Sequence, residues 1–276
     1  MADQKQIRVM LWCVPRAGST AFLRCIAGRD DVKAFRELFV ACRFFGPNAT
    51  SGFAKELNAP VENEFTYEKV KEKLEADYDF PVIFAKDGAK SIYGHYNCIP
   101  KGFQHTFLIK KPSKIHMSKK RLFDNYKVSI ASDKNATYDQ TTDDHSGSPL
   151  YEMLELVKYV RDVLKQEIII IDGDDLLANP EAMMKKWCES VGIPFRPEMM
   201  TWKKNCNVNW EMSEGHKMMM DIFPKASYNA LNSVGFSSHV AAEEVDKTDI
   251  PEDVLKCIEA SEPYYKELYA MRMTVE

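Results

Sequence analysis

The run Cys13-Val14-Pro15-Arg16-Ala17-Gly18-Ser19-Thr20 joins an apolar stretch, Ile7–Cys13, to a segment with helical spacing, Ser19–Ala27. A strand-to-helix loop turns backbone N–H groups and the positive end of a helix dipole toward one point, where an anion binds. The outline is that of the phosphate loop G-x-x-x-x-G-K-[ST], with two departures. Cys13 stands where the first glycine would be and Ser19 where the lysine would be; the positive charge lies inside the loop, at Arg16. Triphosphate chemistry places that lysine on the β- and γ-phosphates and a magnesium ion on the hydroxyl, so this loop supports it poorly. A guanidinium still clamps a phosphate through a planar fork of donors. The same residues also suit an ordinary strand-to-helix turn capped by Gly-Ser-Thr.

Other groups with chemical capacity lie further on. Asp87, in Phe84-Ala85-Lys86-Asp87-Gly88, ends a second apolar stretch, and the carboxyl ends of parallel strands are where α/β active sites gather. It would act as a base if burial raised its pKa; as an N-cap before Ala89 it would be structural. His95 is the alternative base, its ordinary pKa already suiting neutral pH. Lys110, Lys111, Lys114, Lys119, Lys120 and Arg121 form the one strongly positive segment. Such a run is a solvated helix face or a field that steers a polyanion inward. Trp202 and Lys203 could offer a nucleotide a stacking face and a charge, or Trp202 could be core. His105, His116, His145, His216 and His239 lack metal-ligand spacing and read as structural or surface residues. Met218-Met219-Met220 reads as helix core or pocket lining. Phe39, Phe44, Phe45 and Tyr93 suit an apolar pocket and a core equally well.

The elements that must position these groups alternate between two periods. Strands are expected at Ile7–Cys13, Pro81–Ala85, Thr106–Ile109 and Glu167–Ile171. Helices are expected at Ser19–Ala27, Tyr67–Asp77, Ser113–Phe123, Leu150–Leu164, Pro180–Val191 and Pro251–Met271. Pro180 opens its helix and Gly192 follows its end, the usual asymmetry. Val-, Ile- and Leu-rich strands spaced by helices imply a parallel sheet covered on both faces. The polar stretch Ser132–Pro149 reads as a surface loop or a lid over a site.

Pro15-Arg16-x-Gly18-Ser19-Thr20 resembles the 5′-phosphosulfate loop of the sulfotransferases that use 3′-phosphoadenosine-5′-phosphosulfate (PAPS). Phe107-Leu108-Ile109-Lys110-Lys111-Pro112 followed by Ser118 resembles that family's second hallmark, a strand ending in a basic residue, then proline, then serine. The family usually has arginine at the position of Lys110, so a fork is replaced by a point charge. The likeness continues in order through Ile168–Leu177, Asn179-Pro180-Glu181, Cys188, Gly192-Ile193-Pro194-Phe195, Trp202 and Pro263–Tyr269. The chain is similar to a divergent, small soluble branch, because the Lys-x-His pair and late Arg-Lys-Gly loop of the phenol and steroid enzymes are absent.

The resemblance implies an α/β, P-loop-type three-layer sandwich with a central parallel sheet flanked by helices, in a single domain over 1–276. It implies transfer of a sulfuryl group from PAPS to a hydroxyl or amine of a small-molecule acceptor, leaving adenosine 3′,5′-bisphosphate. Pro15, Arg16, Ala17, Gly18, Ser19 and Thr20 would then hold the 5′-phosphosulfate, and Lys110 and Ser118 the 3′-phosphate. Trp202 and Lys203 would lie by the nucleotide. Gly88 occupies the position of the family's base histidine, so the base becomes Asp87, as in some divergent members, or His95. Lys86 would neutralise the bridging oxygen as sulfate leaves, unless it is a solvated strand-end lysine. No metal is implied.

Composition agrees. Of 276 residues, 45% are hydrophobic and 28% charged, which is globular rather than disordered. The formal net charge of −4 excludes a strongly basic nucleic-acid binder at whole-chain level. No window reaches the ~18 apolar residues of a membrane span, and no signal peptide is evident. Seven scattered cysteines without a CxxC fit a reducing cytoplasm and neither a disulfide framework nor structural zinc. The expected partners are a small-molecule acceptor, no nucleic acid and no membrane, with a homodimer left open. Two other readings stand beside the enzyme: a nucleotide-dependent kinase on a related loop, and a catalytically inactive nucleotide-binding protein.

Overall fold

The computed structural model describes residues 6–50, 53–129, 148–204, 208–223, 228–236 and 250–275. Most of the polar stretch Ser132–Pro149 lies outside the described residues, as do His145 and His239. In chain order the elements are β1 (Ile7–Cys13), α1 (Ser19–Ala27), β2 (Val32–Arg36), α2 (Leu38–Phe44), α3 (Phe53–Glu56), α4 (Tyr67–Glu75), β3 (Val82–Gly88) and α5 (Ala89–Ile92). They continue with β4 (Gln104–Ile109), α6 (Pro112–Ser129), α7 (Pro149–Asp162), β5 (Ile169–Asp172), α8 (Gly173–Ala178), α9 (Pro180–Val191), β6 (Trp210–Glu211), α10 (Glu214–Ile222), α11 (Tyr228–Asn232) and α12 (Glu252–Ala270).

The strands form one parallel sheet in the order β5-β4-β1-β3-β2-β6, flanked by helices, the expected α/β architecture. β1 is central: Met10, Leu11 and Trp12 are fully buried. A strand covered on both faces needs a continuous apolar run, which Val9–Val14 supplies. Arg8, the charge beside that run, sends its guanidinium to the edge, where it donates to the carbonyls of Leu74 and Ala76, each at 2.8 Å. Phe22 of α1 and Phe84 of β3 meet the edge of Trp187 of α9, with centroids 4.8 and 6.0 Å away. These contacts carry α1 and α9 onto the sheet.

Register settles what lies together. Cys13 pairs with Gly88 on one side and Leu108 on the other, and Ile109 pairs with Asp172. All strands being parallel, the loops after β1, β2, β3, β4 and β5 leave from one edge. The strand order reverses across β1, with β3 and β2 on one side and β4 and β5 on the other. That reversal opens a crevice at the carboxyl ends, where open α/β sheets bind ligands.

Several boundaries differ from the sequence expectations. β3 runs on through Lys86 and Asp87 to Gly88, and α6 begins at Pro112 and extends to Ser129. β2, α2 and β6 were not expected. In β2, Lys33 and Arg36 break the apolar run; Lys33 pairs with Glu211, and Arg36 lies 4.9 Å from the Trp210 ring. Both charges are met by β6, which the local sequence of β2 does not reveal.

Candidate functional site

The loop after β1 is held open by its own backbone. Val14 N–H donates to Leu108 O at 3.1 Å, fixing the loop's start to β4. Arg16 then adopts φ 69° and Gly18 φ 91°. The left-handed region costs a non-glycine residue energy, and such strain collects at ligand sites. Gly18 is the N-cap of α1 and has no side chain to cap it. The N–H groups of Gly18, Ser19 and Thr20 find no acceptor among the described residues. Open first-turn N–H groups with the dipole behind them attract an anion.

Arg16 Nε donates to Ser118 Oγ at 2.9 Å. This bond joins residues 102 positions apart and brings the loop arginine to the α6 serine. Burial pushes the Arg16 pKa down, and the neighbouring charge of Arg121 adds to the effect. Lys110, at the end of β4 and only 6% exposed, lies 3.6 Å from Asp174 Oδ1. Lys114 shares that carboxylate at 2.9 Å. Burial lowers the Lys110 pKa, Asp174 opposing and Lys114 reinforcing the shift. Asp172 caps α8 by accepting from the N–H of Asp174 and Asp175 and from the Tyr265 hydroxyl at 3.0 Å. Gly173 is required there, since a Cβ would sit 2.6 Å from Ala17 O. The β5–α8 turn therefore packs directly against the loop after β1.

The candidate bases have distinct surroundings. Asp87 is 2% exposed. Its Oδ2 accepts from Phe39 N–H at 2.6 Å, and its Oδ1 from Val40 N–H at 3.2 Å and Gly88 N–H at 2.8 Å. It caps α2, a helix distant in sequence, rather than the helix at Ala89. Burial raises its pKa to about 7 against the pull of these donors and of Lys86. Lys86 is not solvated: it is 3% exposed and ion-paired with Glu37 Oε1. His95 is half-buried and stacks on Tyr67, centroids 3.7 Å apart and planes within 12°.

Glu37 and His216 were not singled out as site residues. Glu37 follows β2 directly, in the left-handed region at φ 57°, its N–H bonded to Lys86 O at 2.7 Å. Its Oε2 lies 2.7 Å from His216 Nε2. Burial, with the charges of Arg36 and Lys86, pushes the His216 pKa well down, so a neutral ring donates to the carboxylate. Glu37 is the reachable member, its side chain 16% exposed against 1% for His216 and 3% for Lys86. The one local signal was a carboxylate placed directly after a basic strand end.

Trp202 is half-buried. Its Nε1 donates to Ser233 Oγ at 3.1 Å, its ring meets the edge of Phe236, and the Arg24 guanidinium lies 5.6 Å over it. Arg24 also donates to Lys203 O at 2.6 Å. Arg24 belongs to α1, so both residues are tied to the helix that leaves the loop. No helix among the described residues is long and apolar enough to cross a membrane. Among those residues no group of three or more His, Cys, Asp or Glu side chains could hold a metal ion.

No family model matches the chain, and no curated protein matches it. Among solved structures it is similar to the sulfotransferase domain from the curacin biosynthetic pathway, 11% identical, covering 98% of this chain and 99% of that one at a TM-score of 0.49. It is similar also to the sulfotransferase domain of the Synechococcus PCC 7002 olefin synthase, 13% identical, covering 94% and 96% at 0.48. A mouse sulfotransferase complexed with PAP is 12% identical, covering 97% of this chain and 84% of that one at 0.44.

Proposed function

We propose that the protein is a sulfotransferase that moves a sulfuryl group from PAPS to a hydroxyl or amine of a small-molecule acceptor. The Arg16–Ser118 bond carries the reading. It joins the two sequence motifs expected to bind the two ends of the donor's phosphates. Arg16 and the open N–H groups of Gly18, Ser19 and Thr20, on a loop shaped by Pro15 and Ala17, hold the 5′-phosphosulfate. Lys110 and Ser118 hold the 3′-phosphate. Arg24 supports a place for Trp202 and Lys203 at the far end of the nucleotide.

In the reaction the acceptor oxygen or nitrogen attacks sulfur, the bond from sulfur to the bridging oxygen breaks, and adenosine 3′,5′-bisphosphate leaves with that oxygen. The charge developing on the leaving phosphate meets Arg16 and the loop N–H groups, donors fixed before the reaction begins. The acceptor's proton goes to a base. Glu37, its side chain 16% exposed, is more reachable for this role than Asp87, which is 2% exposed and holds three backbone N–H groups of β3 and α2. Asp87 becomes a positioning residue, because the helix it caps starts at Leu38, next to Glu37. Lys86 holds Glu37 in place, leaving His95 as the alternative base.

Transfer of radiolabelled sulfate from PAPS to a panel of alcohols, phenols and amines tests the function. Glu37→Gln is expected to cut turnover by ~10²–10⁴, the usual worth of a positioned base, with donor affinity unchanged. Full turnover in Glu37→Gln with loss in His95→Ala moves the base to His95. Absence of transfer to any acceptor, with ATP bound in place of PAPS, favours the kinase reading.

A further inference from the structure

The first turn of α10 is pinned from several sides. Ser213 Oγ accepts from His216 N–H at 3.0 Å. Glu62, 7% exposed, accepts from Glu214 N–H at 3.1 Å and Gly215 N–H at 2.8 Å. A Cβ at Gly215 would sit 2.6 Å from the Phe45 ring, so glycine lets the turn come this close. The turn delivers the His216 ring to Glu37, which follows β2 in the left-handed region.

Glu37 is then held at both oxygens. Lys86 of β3 meets Oε1, and His216 Nε2 meets Oε2 at 2.7 Å. The two donors come from different elements and together fix the plane of the carboxylate, while each oxygen keeps a further lone pair. The state of the ring decides what it does there. Nε2 carries the proton that it donates, so a neutral ring leaves Nδ1 bare. Nδ1 is buried and has no hydrogen-bond partner among the described residues. A proton passed from Glu37 to Nε2 would have to leave through Nδ1, where nothing takes it. The charged groups facing the ring are Glu37, Arg36, Lys86 and Glu62, and burial with the two cations keeps the ring neutral. A second cation on Glu37 would also weaken it as a base; a neutral donor orients it with less of that loss.

We infer that His216 is the positioning residue of the base: its neutral Nε2–H, working against Lys86, aims the open lone pairs of Glu37 at the acceptor and takes no part in carrying the proton away. This rests on the reading of Glu37 as the base in sulfuryl transfer.

The test has two readouts on the full chain. The first is the ¹⁵N spectrum of histidine-labelled protein between pH 5 and pH 8, the His216 signals being assigned by their loss in His216→Gln. It needs no activity and stands whether or not a bulkier substitution folds. A neutral ring protonated at Nε2 is expected throughout. A ring protonated at Nδ1, or one that titrates in this range, would overturn the inference. The second is the pH profile of sulfuryl transfer in wild type, His216→Phe and His216→Gln. His216→Phe is expected to lower kcat by ~10–10²-fold, as a misplaced catalytic group does. Its acid limb should move to higher pH, because a donor to the carboxylate is lost. Acceptor KM and affinity for adenosine 3′,5′-bisphosphate should not change. His216→Gln keeps an N–H at the position of Nε2 and is expected to restore both kcat and the limb. Wild-type kcat and limb in His216→Phe would make the histidine core packing only, and failure of glutamine to restore them would give the ring a proton to carry; either result overturns the inference. Full turnover in Glu37→Gln would instead remove the base beneath it, and absence of transfer by the wild type the PAPS reading.

Discussion

Asp87 shows how burial and hydrogen bonding compete at one residue. Three backbone donors favour the carboxylate, but enclosure at the end of β3 outweighs them and leaves the pKa at about 7. The unfolded value is near 3.9, so the folded state takes up a proton that the unfolded state releases. Stability from this group is complete below pH ~4 and is lost as pH rises through about 7, by roughly 3–4 kcal/mol over the window. Asp87→Asn cannot titrate. The urea midpoint of the wild type relative to this variant is expected to fall between pH 5 and pH 8. At low pH the variant itself is less stable by ~1–3 kcal/mol, because its amide NH₂ faces a backbone N–H. Parallel pH profiles for the two proteins would show that Asp87 does not titrate in this range.

Pairs of elements carry the next level of argument. Trp12 on β1 donates from Nε1 to His105 Nδ1 on β4 at 3.2 Å, a side-chain link between the two strands that bound the crevice. The acceptor nitrogen must be unprotonated, and burial pushes the His105 pKa down to about 4. The sign is opposite to that of Asp87: stability is present above the unfolded pKa and is lost as pH falls through about 4. His105→Gln keeps an acceptor without the titration. Between pH 6.5 and 4 the wild type is expected to lose ~3 kcal/mol more than this variant, read from urea midpoints; equal losses would contradict the assignment. The β5–α8 turn gives a second element-scale expectation. A methyl at Gly173 meets Ala17 O at 2.6 Å, against backbone with no flexible side chain to yield. Gly173→Ala is expected to cost ~1–3 kcal/mol and to weaken nucleotide binding through the displaced loop, by calorimetry. Unchanged affinity would detach the turn from the phosphate site.

At the scale of the molecule, what was legible in the sequence was what is local. β1 is an unbroken apolar run, and the loop after it keeps its donors within a few residues. Lys110, Pro112 and Ser118 mark the end of one element and the start of the next. The Arg16–Ser118 pairing was not visible in the sequence, which assigned the two residues to different phosphates of the donor. Glu37, Lys86 and His216 were beyond reach as a group, because β2, β3 and α10 meet only through the sheet order. Asp87 was read as a base, with a cap for the helix beside it as the structural alternative; topology makes the helix that it caps α2. β2 and β6 were missed because each meets the other's charged side chains, so neither reads as apolar.

In the proposed function the carboxyl edge of this sheet is a site for a nucleotide phosphorylated at both ends. In a chain of formal net charge −4, cations on α6 and in the loop make that edge a local exception. The most direct measurement is calorimetric titration of the wild type and of Arg16→Ala with adenosine 3′,5′-bisphosphate, with ATP as competitor. Arg16 is the cation that meets both the loop and Ser118, and a charge-assisted bond contributes ~1.5–3 kcal/mol. Tight binding that ATP does not displace is expected, weakened at least tenfold in Arg16→Ala while the melting temperature of the free protein stays nearly unchanged. Equal affinity of the two proteins for the bisphosphate, or ready displacement by ATP, would contradict it.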